Sequence, residues 1–158
     1  MSSGRLNLGQ QALALKSVYP DSSVRIGPNR LVWRGRLKPA ALSREYTIEI
    51  SLRVGQTPVV NVVHPLLEPD TQGLLPHIWD DGSLCLNMAG QWSSRMLLVD
   101  TTLPWASEWL LHYEMWKGVG LWLGDGPGAE STAAQAALLH PVPGIKPNPR
   151  GRTASIES

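Results

Sequence analysis

The feature that most constrains the fold is a run over residues 46–54 in which apolar and polar residues alternate strictly. The apolar residues are Tyr46, Ile48, Ile50, Leu52 and Val54, and the residues between them are Thr47, Glu49, Ser51 and Arg53. Successive side chains of a β-strand point to opposite faces of the sheet, so this period predicts a strand with one buried and one solvated face. A solvated face is typical of antiparallel sheets, because the helical crossovers of parallel sheets cover both faces.

Shorter segments on either side of this run complete the predicted sheet. Residues 23–26 and 30–37 are separated by Gly27-Pro28-Asn29, which has the composition of a turn. Residues 58–63 follow the run and are joined to it by Gly55-Gln56-Thr57. Because each connection is short enough for a hairpin, we expect a four-stranded antiparallel meander.

The second predicted strand carries a basic stripe on its solvated side. The residues of this basic stripe are Arg30, Arg34 and Arg36. Residues 1–64 contain nine Lys and Arg against three Asp and Glu, whereas residues 65–158 contain five against ten, so a net charge of +1 combines a basic and an acidic half. A net charge this small argues against a general nucleic-acid binder. The stripe predicts a surface that binds an acidic protein partner, with an ordinary solvated strand face as the alternative.

Apolar residues near helical spacing predict a helix before the sheet, over residues 5–16. Leu13 belongs to this pattern, and Tyr19-Pro20-Asp21 ends it. A chain of 158 residues that is 42% hydrophobic is long enough for one domain with a core. We therefore expect an α+β domain in which a helix covers one face of the sheet.

A second helix is predicted towards the end of the domain. Thr102 is its expected N-cap, Pro104 falls in the first turn, where the missing N–H is harmless, and Gly118 ends it. Its tryptophans at helical spacing, which are typical of a packing stripe, are Trp105, Trp109 and Trp116. The sequence thus predicts a domain over residues 1–123 and a flexible tail, rich in Gly and Pro, over residues 124–158.

Cys85 is the only cysteine of the chain. A single cysteine cannot form an internal disulfide, which is typical of a reducing compartment. The sequence has no apolar run long enough to span a membrane, and its start lacks the pattern of a signal peptide, so we expect a cytoplasmic protein. It has neither the ligand spacing of a metal site nor a glycine-rich phosphate loop, so neither a metal nor a cofactor is predicted.

Cys85 lies in an irregular segment of about forty residues between His64-Pro65 and the second helix, and loops of this length in a compact domain are usually functional. The cysteine is either a small core residue or a nucleophile. As a nucleophile it has three candidate bases, which are His64, His77 and His112. A cysteine hydrolase is therefore open, although none of the local hydrolase signatures is present.

A specific pattern surrounds Cys85. It consists of Pro76-His77-Ile78, then Gly82-Ser83-Leu84-Cys85-Leu86, then Trp92. This pattern resembles the active-site segment of ubiquitin-conjugating enzymes, in which a His-Pro-Asn-Ile turn precedes a Gly-x-Ile/Leu-Cys-Leu element and a tryptophan. The register holds without a gap from Pro76 to Leu86. The order of helix, four-strand meander, irregular segment and helix also resembles the ubiquitin-conjugating fold, so the resemblance covers residues 5 to about 123.

More narrowly, this segment and the tryptophan-rich helix after it resemble the bacterial ubiquitin-conjugating-like proteins of antiphage defence operons, including those called CBASS. The resemblance implies a transferase whose cysteine carries a protein C-terminus as a thioester. It also implies that the acyl donor is the C-terminus of a cGAS/DncV-like nucleotidyltransferase, or a ubiquitin-like protein, with an activating enzyme in trans. A non-catalytic binding module of the same fold and a cysteine hydrolase are the alternatives.

The site departs from the family pattern at two positions, since the family's asparagine is His77 here and the family's histidine is Leu75. We expect Cys85 to be the acyl acceptor. His77 is expected either to donate a ring N–H to the oxyanion or to take a proton from an incoming amine. Bracing of the loop is the alternative role for His77.

Five further residues are predicted to support the loop. They are Pro76, Asp80, Asp81, Asn87 and Trp92. The two aspartates either orient an acceptor lysine or form a solvated turn. Asn87 is a weaker hydrogen-bond donor candidate, Pro76 belongs to the bracing turn, and Trp92 covers the loop.

Overall fold

The computed structural model describes residues 4–86, 91–122 and 139–141, so Asn87 lies outside the described residues. In chain order the elements are α1 (Leu8–Val18), β1 (Ser23–Ile26), β2 (Arg30–Leu37), β3 (Tyr46–Arg53), β4 (Val59–His64), β5 (Leu74–Pro76), α2 (Thr102–Val119) and β6 (Leu139–Pro141). The predicted α+β class is confirmed.

The first four strands form one antiparallel sheet in the order β1-β2-β3-β4, which confirms the predicted meander. Alternation places one face of β2 and β3 in the core. The buried side chains of these two strands are Leu31, Trp33, Leu37, Tyr46, Ile48, Ile50 and Leu52. β3 ends at Arg53, one residue before the predicted end, because Val54 already belongs to the turn towards β4.

Trp33 joins the sheet to the connection between α1 and β1. Its ring lies so close to Gly35 that a methyl group on that glycine would overlap it. The indole N–H donates to Ser22 Oγ at 2.8 Å, and the ring of Tyr19 packs edge-on at 5.4 Å between centroids. These contacts fix the end of α1 against the sheet.

The helix α1 buries only part of the pattern that helical spacing suggests, since Ala12 and Leu15 of that pattern are buried. It begins after Asn7, whose side chain accepts the N–H of the third helical residue at 2.8 Å. Its buried side chains are Gln11, Ala12 and Leu15. Leu13 is 74% exposed. Gln11 is buried because its amide donates to the Met96 carbonyl at 2.7 Å and accepts the Leu98 N–H at 2.9 Å, which ties α1 to the segment before α2.

The helix α2 has slightly different ends from those predicted. Thr102 is its first residue, and Thr101 is the N-cap. The helix continues through Gly118, and the residue after its end, Gly120, has the left-handed φ of 78° and donates its N–H to the Trp116 carbonyl at 2.8 Å. The predicted end at Gly118 is therefore wrong by one residue. Neither helix in the described residues has the length and apolar character that crossing a membrane requires.

Buried side chains and two hydroxyl groups hold α2 on the domain. The side chains of α2 that are almost fully buried are Leu103, Ala106 and Leu110. Glu114 accepts the Tyr46 hydroxyl at 2.9 Å, and burial together with this carboxylate raises the pKa of Tyr46. The Tyr113 hydroxyl accepts the Glu68 N–H at 2.7 Å. The orientation of α2 about its own axis is thereby set.

The strands β5 and β6 form a second, two-stranded antiparallel sheet in which Leu75 lies opposite His140. The strand β6 comes from the region beyond residue 123, where the sequence predicts a tail. The strand β5 ends at Pro76, directly before the segment that contains Cys85.

Candidate active site around Cys85

Cys85 lies at the end of a short hairpin formed by residues 77–85. Ile78 and Leu84 form an antiparallel bridge, and both side chains are buried. The Leu84 N–H donates to the Val60 carbonyl of β4 at 2.9 Å, and the Cys85 N–H donates to the His77 carbonyl at 3.0 Å. The side chain of Cys85 is half-buried. The cysteine is therefore presented from an ordered backbone next to the main sheet.

The turn of this hairpin is ordered by Asp81. The Trp79 N–H donates to the Ser83 carbonyl at 2.8 Å, and the Gly82 N–H donates to the Trp79 carbonyl at 2.9 Å. Asp81 Oδ1 accepts both the hydroxyl of Ser83 at 2.5 Å and its N–H at 2.9 Å, and these bonds lower the pKa of Asp81. Asp80 lies exposed at the tip of the turn.

His77 has a strained backbone that α2 helps to hold. Its φ of 49° lies in the left-handed region, which costs a non-glycine residue roughly 1 kcal/mol or more. Its carbonyl accepts the Cys85 N–H and also the indole N–H of Trp109, at 2.9 Å. Trp109 is buried. The helical spacing of the tryptophans predicts packing alone, whereas Trp109 also fastens the cysteine hairpin to α2.

A cavity of about 120 Å³ opens beside Cys85. Its lining residues are His77, Cys85, Leu86, Trp105, Glu108, Trp109, His112 and Trp122. The Trp122 ring centroid lies 4.8 Å from that of His77, 5.3 Å from that of Trp109 and 5.7 Å from that of His112. The thiol and two imidazoles thus share one aromatic pocket, which we call the Cys85 cavity.

Glu108 and His112 lie one helical turn apart on α2. His112 Nε2 is 3.5 Å from Glu108 Oε1, and His112 Nδ1 is buried with no hydrogen-bond partner in the part of the chain that the structure describes. The sequence predicts His112 as a candidate base of a hydrolase and, alternatively to Tyr113, as a member of the helical stripe of the tryptophans, and it does not single out Glu108. Their signal is that both interrupt the tryptophan stripe, three and seven residues after Trp105. Within residues 4–86, 91–122 and 139–141, no three His, Cys, Asp or Glu side chains are placed to hold a metal ion.

Pro76 and Trp92, which are also predicted to support the loop, are not among the described residues that line the Cys85 cavity. Pro76 is buried at the end of β5, and Leu75, at the position of the family's histidine, is 1% exposed. Trp92 is half-buried and lines a larger cavity of about 670 Å³ between α1 and the turns of the main sheet. As far as the described residues form them, the walls of that larger cavity contain neither cysteine nor histidine, so its size does not make it the site of the thiol chemistry.

The basic stripe of β2 lies on the solvated face of the sheet, as its spacing predicts. Its contacts are Arg34 to Glu49 at 2.7 Å, Arg36 to Glu45 at 3.3 Å, and Arg30 to Ser51 at 2.8 Å. The side chains of Arg34 and Arg36 are 50% and 63% exposed. The stripe is therefore accessible, although glutamates balance part of its charge. Partner binding there stays a prediction.

The comparison with known families agrees with this geometry. A sequence model of the family described as type II CBASS E2 protein matches residues 11–129. The comparison with curated proteins gives no match. The matched range contains the four-stranded sheet, the hairpin of Cys85 and all of α2. The resemblance of the cysteine segment indicates the same kind of protein. Since the match covers most of the chain, the chain belongs to the family of type II CBASS E2 proteins, which are ubiquitin-conjugating-like proteins of antiviral defence.

Proposed function

We propose that this protein is an acyl carrier in which the Cys85 thiol holds a protein C-terminus as a thioester and passes it to an acceptor. The observation that carries the proposal is the half-buried Cys85 on an ordered hairpin whose residues, Pro76 to Leu86, match the ubiquitin-conjugating register without a gap. A thiolate is a strong nucleophile, and a thioester keeps the acyl group reactive. One cysteine therefore suffices for an acyl relay.

The reaction consists of two transfers. In the first, the Cys85 sulfur attacks the carbonyl carbon of an activated C-terminus, the C–S bond forms, and the activating group leaves with its electron pair. In the second, an acceptor amine attacks the same carbon, an amide bond forms, and the sulfur leaves as a thiolate. We assign the activation to a separate, ATP-dependent enzyme. We assign the acyl donor to the C-terminus of a cGAS/DncV-like nucleotidyltransferase or, alternatively, to a ubiquitin-like protein.

Each transfer passes through a tetrahedral oxyanion, and we assign one donor for it to the ring of His77. The backbone of His77 is held by two hydrogen bonds, and its ring lines the Cys85 cavity against Trp122. Such a donor contributes roughly 100-fold or more to the rate in other acyl-transfer enzymes. His77→Ala should slow both transfers by about that factor, and an unchanged rate would leave His77 only the role of bracing the loop.

The proposal is tested by loading the protein with candidate acyl donors in the presence of an activating enzyme and ATP. We expect a covalent adduct that reductant cleaves and that Cys85→Ala abolishes. Cys85→Ser should give an oxygen ester, which resists reductant and is cleaved by hydroxylamine. An adduct that persists in Cys85→Ala would contradict the proposal.

A cysteine hydrolase is the second candidate, because His112 and Glu108 line the same cavity as Cys85. A hydrolase would transfer the acyl group to water. Mass spectrometry of the products separates the two, since a hydrolase releases a free carboxylic acid even when a large excess of amine is present, whereas an acyl carrier forms the amide.

We propose the basic stripe as the surface that binds an acidic partner, because Arg34 and Arg36 are at least half exposed. Exposed charges are screened by salt, so added salt should weaken the binding. If the protein were a binding module without catalysis, Cys85→Ala would still protect cells fully against phage. Loss of protection in that variant would instead support the acyl carrier.

A further inference from the structure

A histidine and a glutamate of α2 line the same small cavity as the thiol. His112 and Glu108 both line the Cys85 cavity, and they are four residues apart, which places them on the same side of the helix. The side chain of His112 is 18% exposed and that of Glu108 is 65% exposed, so the pair connects the inner wall of the cavity to solvent. Such a pair provides a route along which a proton can leave the site.

The contact with Glu108 favours one of the two tautomers of a neutral His112 ring. A carboxylate accepts hydrogen bonds, so the ring proton of the neutral imidazole is favoured on Nε2, which is the nitrogen 3.5 Å from Glu108 Oε1. The lone pair then lies on Nδ1. This atom is buried and has no hydrogen-bond partner among the described residues. The ring nitrogen that is available as a base is therefore already withdrawn from bulk water.

Transfer to an amine creates a need for such a base. At pH 7 only about one lysine side chain in 2,500 is neutral, because its ordinary pKa is about 10.4. The ammonium form has no lone pair and cannot attack a thioester. A base beside the thioester removes this barrier by taking the proton as the amine enters the cavity.

We propose that His112, oriented by Glu108, is the base that deprotonates the acceptor amine during transfer from Cys85. This inference rests on the proposed acyl-carrier function. The ammonium N–H bond breaks and its proton moves to His112 Nδ1. The amine nitrogen then attacks the thioester carbon, the C–S bond breaks, and the second amine proton is released to the Cys85 thiolate or to water. The imidazolium of His112 then loses its Nε2 proton to solvent on the side of the exposed Glu108, and proton exchange with water restores the resting tautomer, in which Nε2 carries the proton and Nδ1 the lone pair.

His77 and His112 would then have different roles, His77 as the donor to the oxyanion and His112 as the base. His77 belongs to the cysteine hairpin, and its carbonyl is engaged by the N–H groups of Cys85 and Trp109. His112 belongs to α2 and lies against the same Trp122 ring as His77, at 5.7 Å between ring centroids. One imidazole thus belongs to the same hairpin as the thiol, and the other is held on a separate element.

The test uses the purified full chain and a defined small probe. Cys85 is loaded from a short peptide that carries a C-terminal mercaptoethanesulfonate thioester, and the loaded protein is then mixed with free lysine or with hydroxylamine. Hydroxylamine is already largely neutral at pH 7 and does not require a base to expose its lone pair. We expect His112→Gln to slow discharge to lysine by about 100-fold, the lower end of general-base effects, while discharge to hydroxylamine changes by less than about threefold.

Three further variants make the result specific. His112→Phe keeps a ring against Trp122 and removes both nitrogens, so it should reproduce the lysine defect even if His112→Gln loosens the cavity. Glu108→Gln should give a smaller, lysine-specific defect, because it removes the carboxylate that orients the imidazole. Met115→Gln is the matched control, since Met115 lies on the same helix, is exposed and does not line the cavity. It should discharge at the rate of the unmodified protein.

The outcomes separate this inference from the function on which it rests. If Cys85 loads and both His112 variants discharge to lysine at the normal rate, His112 is not the base. Equal slowing with lysine and hydroxylamine would overturn the inference as well, because it would show that His112 only maintains the shape of the cavity. If Cys85 accepts no acyl group from the thioester, the acyl-carrier function itself is refuted, and this inference with it.

Discussion

Replacing Trp109 by phenylalanine tests how the hairpin of Cys85 is held. The change removes the indole N–H that donates to the His77 carbonyl at 2.9 Å, from a side chain that is 4% exposed. A hydrogen bond of this kind contributes about 1 kcal/mol to stability. The smaller ring leaves a void that costs about 1–2 kcal/mol more. We expect the free energy of unfolding to fall by about 2–3 kcal/mol in urea denaturation.

The local effect should appear at the thiol. Losing about 1 kcal/mol of hairpin stabilisation raises the population of the opened hairpin about fivefold, since 1.4 kcal/mol corresponds to a factor of ten. Cys85 is half-buried in the closed form. A thiol-reactive dye should therefore modify Cys85 about fivefold faster in Trp109→Phe under conditions where the whole protein stays folded.

Trp116→Phe is the matched control for this measurement. Trp116 lies on the same helix, is half-buried, and packs against Tyr113 at 6.2 Å between ring centroids. Its side chain contacts neither the carbonyl of His77 nor the Cys85 cavity. It should lose some stability without faster thiol modification. Equal modification rates in the two variants would refute the idea that the Trp109 bond holds the hairpin.

Two further predictions concern the sheet and the turn before Cys85. Gly35→Ala should lower the free energy of unfolding by about 1–3 kcal/mol in thermal or urea unfolding, because the added methyl overlaps the buried ring of Trp33. Gly118→Ala, where nothing lies within 4 Å, should be neutral or stabilise α2 by about 0.5–1 kcal/mol, and a large loss there would show that the packing is misassigned. The Ser83 hydroxyl and N–H lower the pKa of Asp81 in the folded state. The stability that the ionised Asp81 contributes is therefore fully present above the pKa that Asp81 has in the unfolded chain, and it is lost as the pH falls through the lower pKa of the folded state. In urea unfolding, Asp81→Asn should therefore be less stable than the unmodified protein at neutral pH and equally stable at strongly acidic pH. A stability difference that does not change with pH would contradict this sign. Asp80→Asn, at an exposed side chain, is the control.

The sheet could be predicted from the sequence because alternation along a strand is a local property. The predicted ends of β3 differ from the structure by one residue at Val54. The packing of α1 could not be predicted in the same way. Leu13 fits helical spacing but is exposed, whereas Gln11 is buried because its amide pairs with the backbone of Met96 and Leu98. Those partners lie 85 and 87 positions away, and no local pattern contains them.

The candidate site, too, could be predicted from the sequence only in part. The segment from His77 to Cys85 is contiguous in sequence, so its resemblance to the ubiquitin-conjugating active-site segment could be predicted, whereas the sequence predicts an irregular segment there and not the hairpin. The other walls of the Cys85 cavity come from α2 and from Trp122, and only tertiary packing brings them to the thiol. The bond from Trp109 to the His77 carbonyl spans 32 positions. Helical spacing shows that Trp109 is buried but not which carbonyl its indole reaches.

The helix α2 carries both Trp109, which supports the hairpin, and His112, the proposed base. Trp105, Glu108, Trp109 and His112 all line the Cys85 cavity and follow one another at helical spacing, so they occupy one side of a single rigid element. Trp109 and His112 are three residues apart, and the geometry of the helix therefore sets the separation between the hairpin and the base more tightly than a loop would. The two roles nevertheless give different results. Loosening the hairpin with Trp109→Phe should alter discharge to lysine and hydroxylamine alike, whereas loss of the base in His112→Gln should alter discharge to lysine alone. If both variants changed both rates by the same factor, α2 would only hold the hairpin in place, and the proton would have to leave by another route.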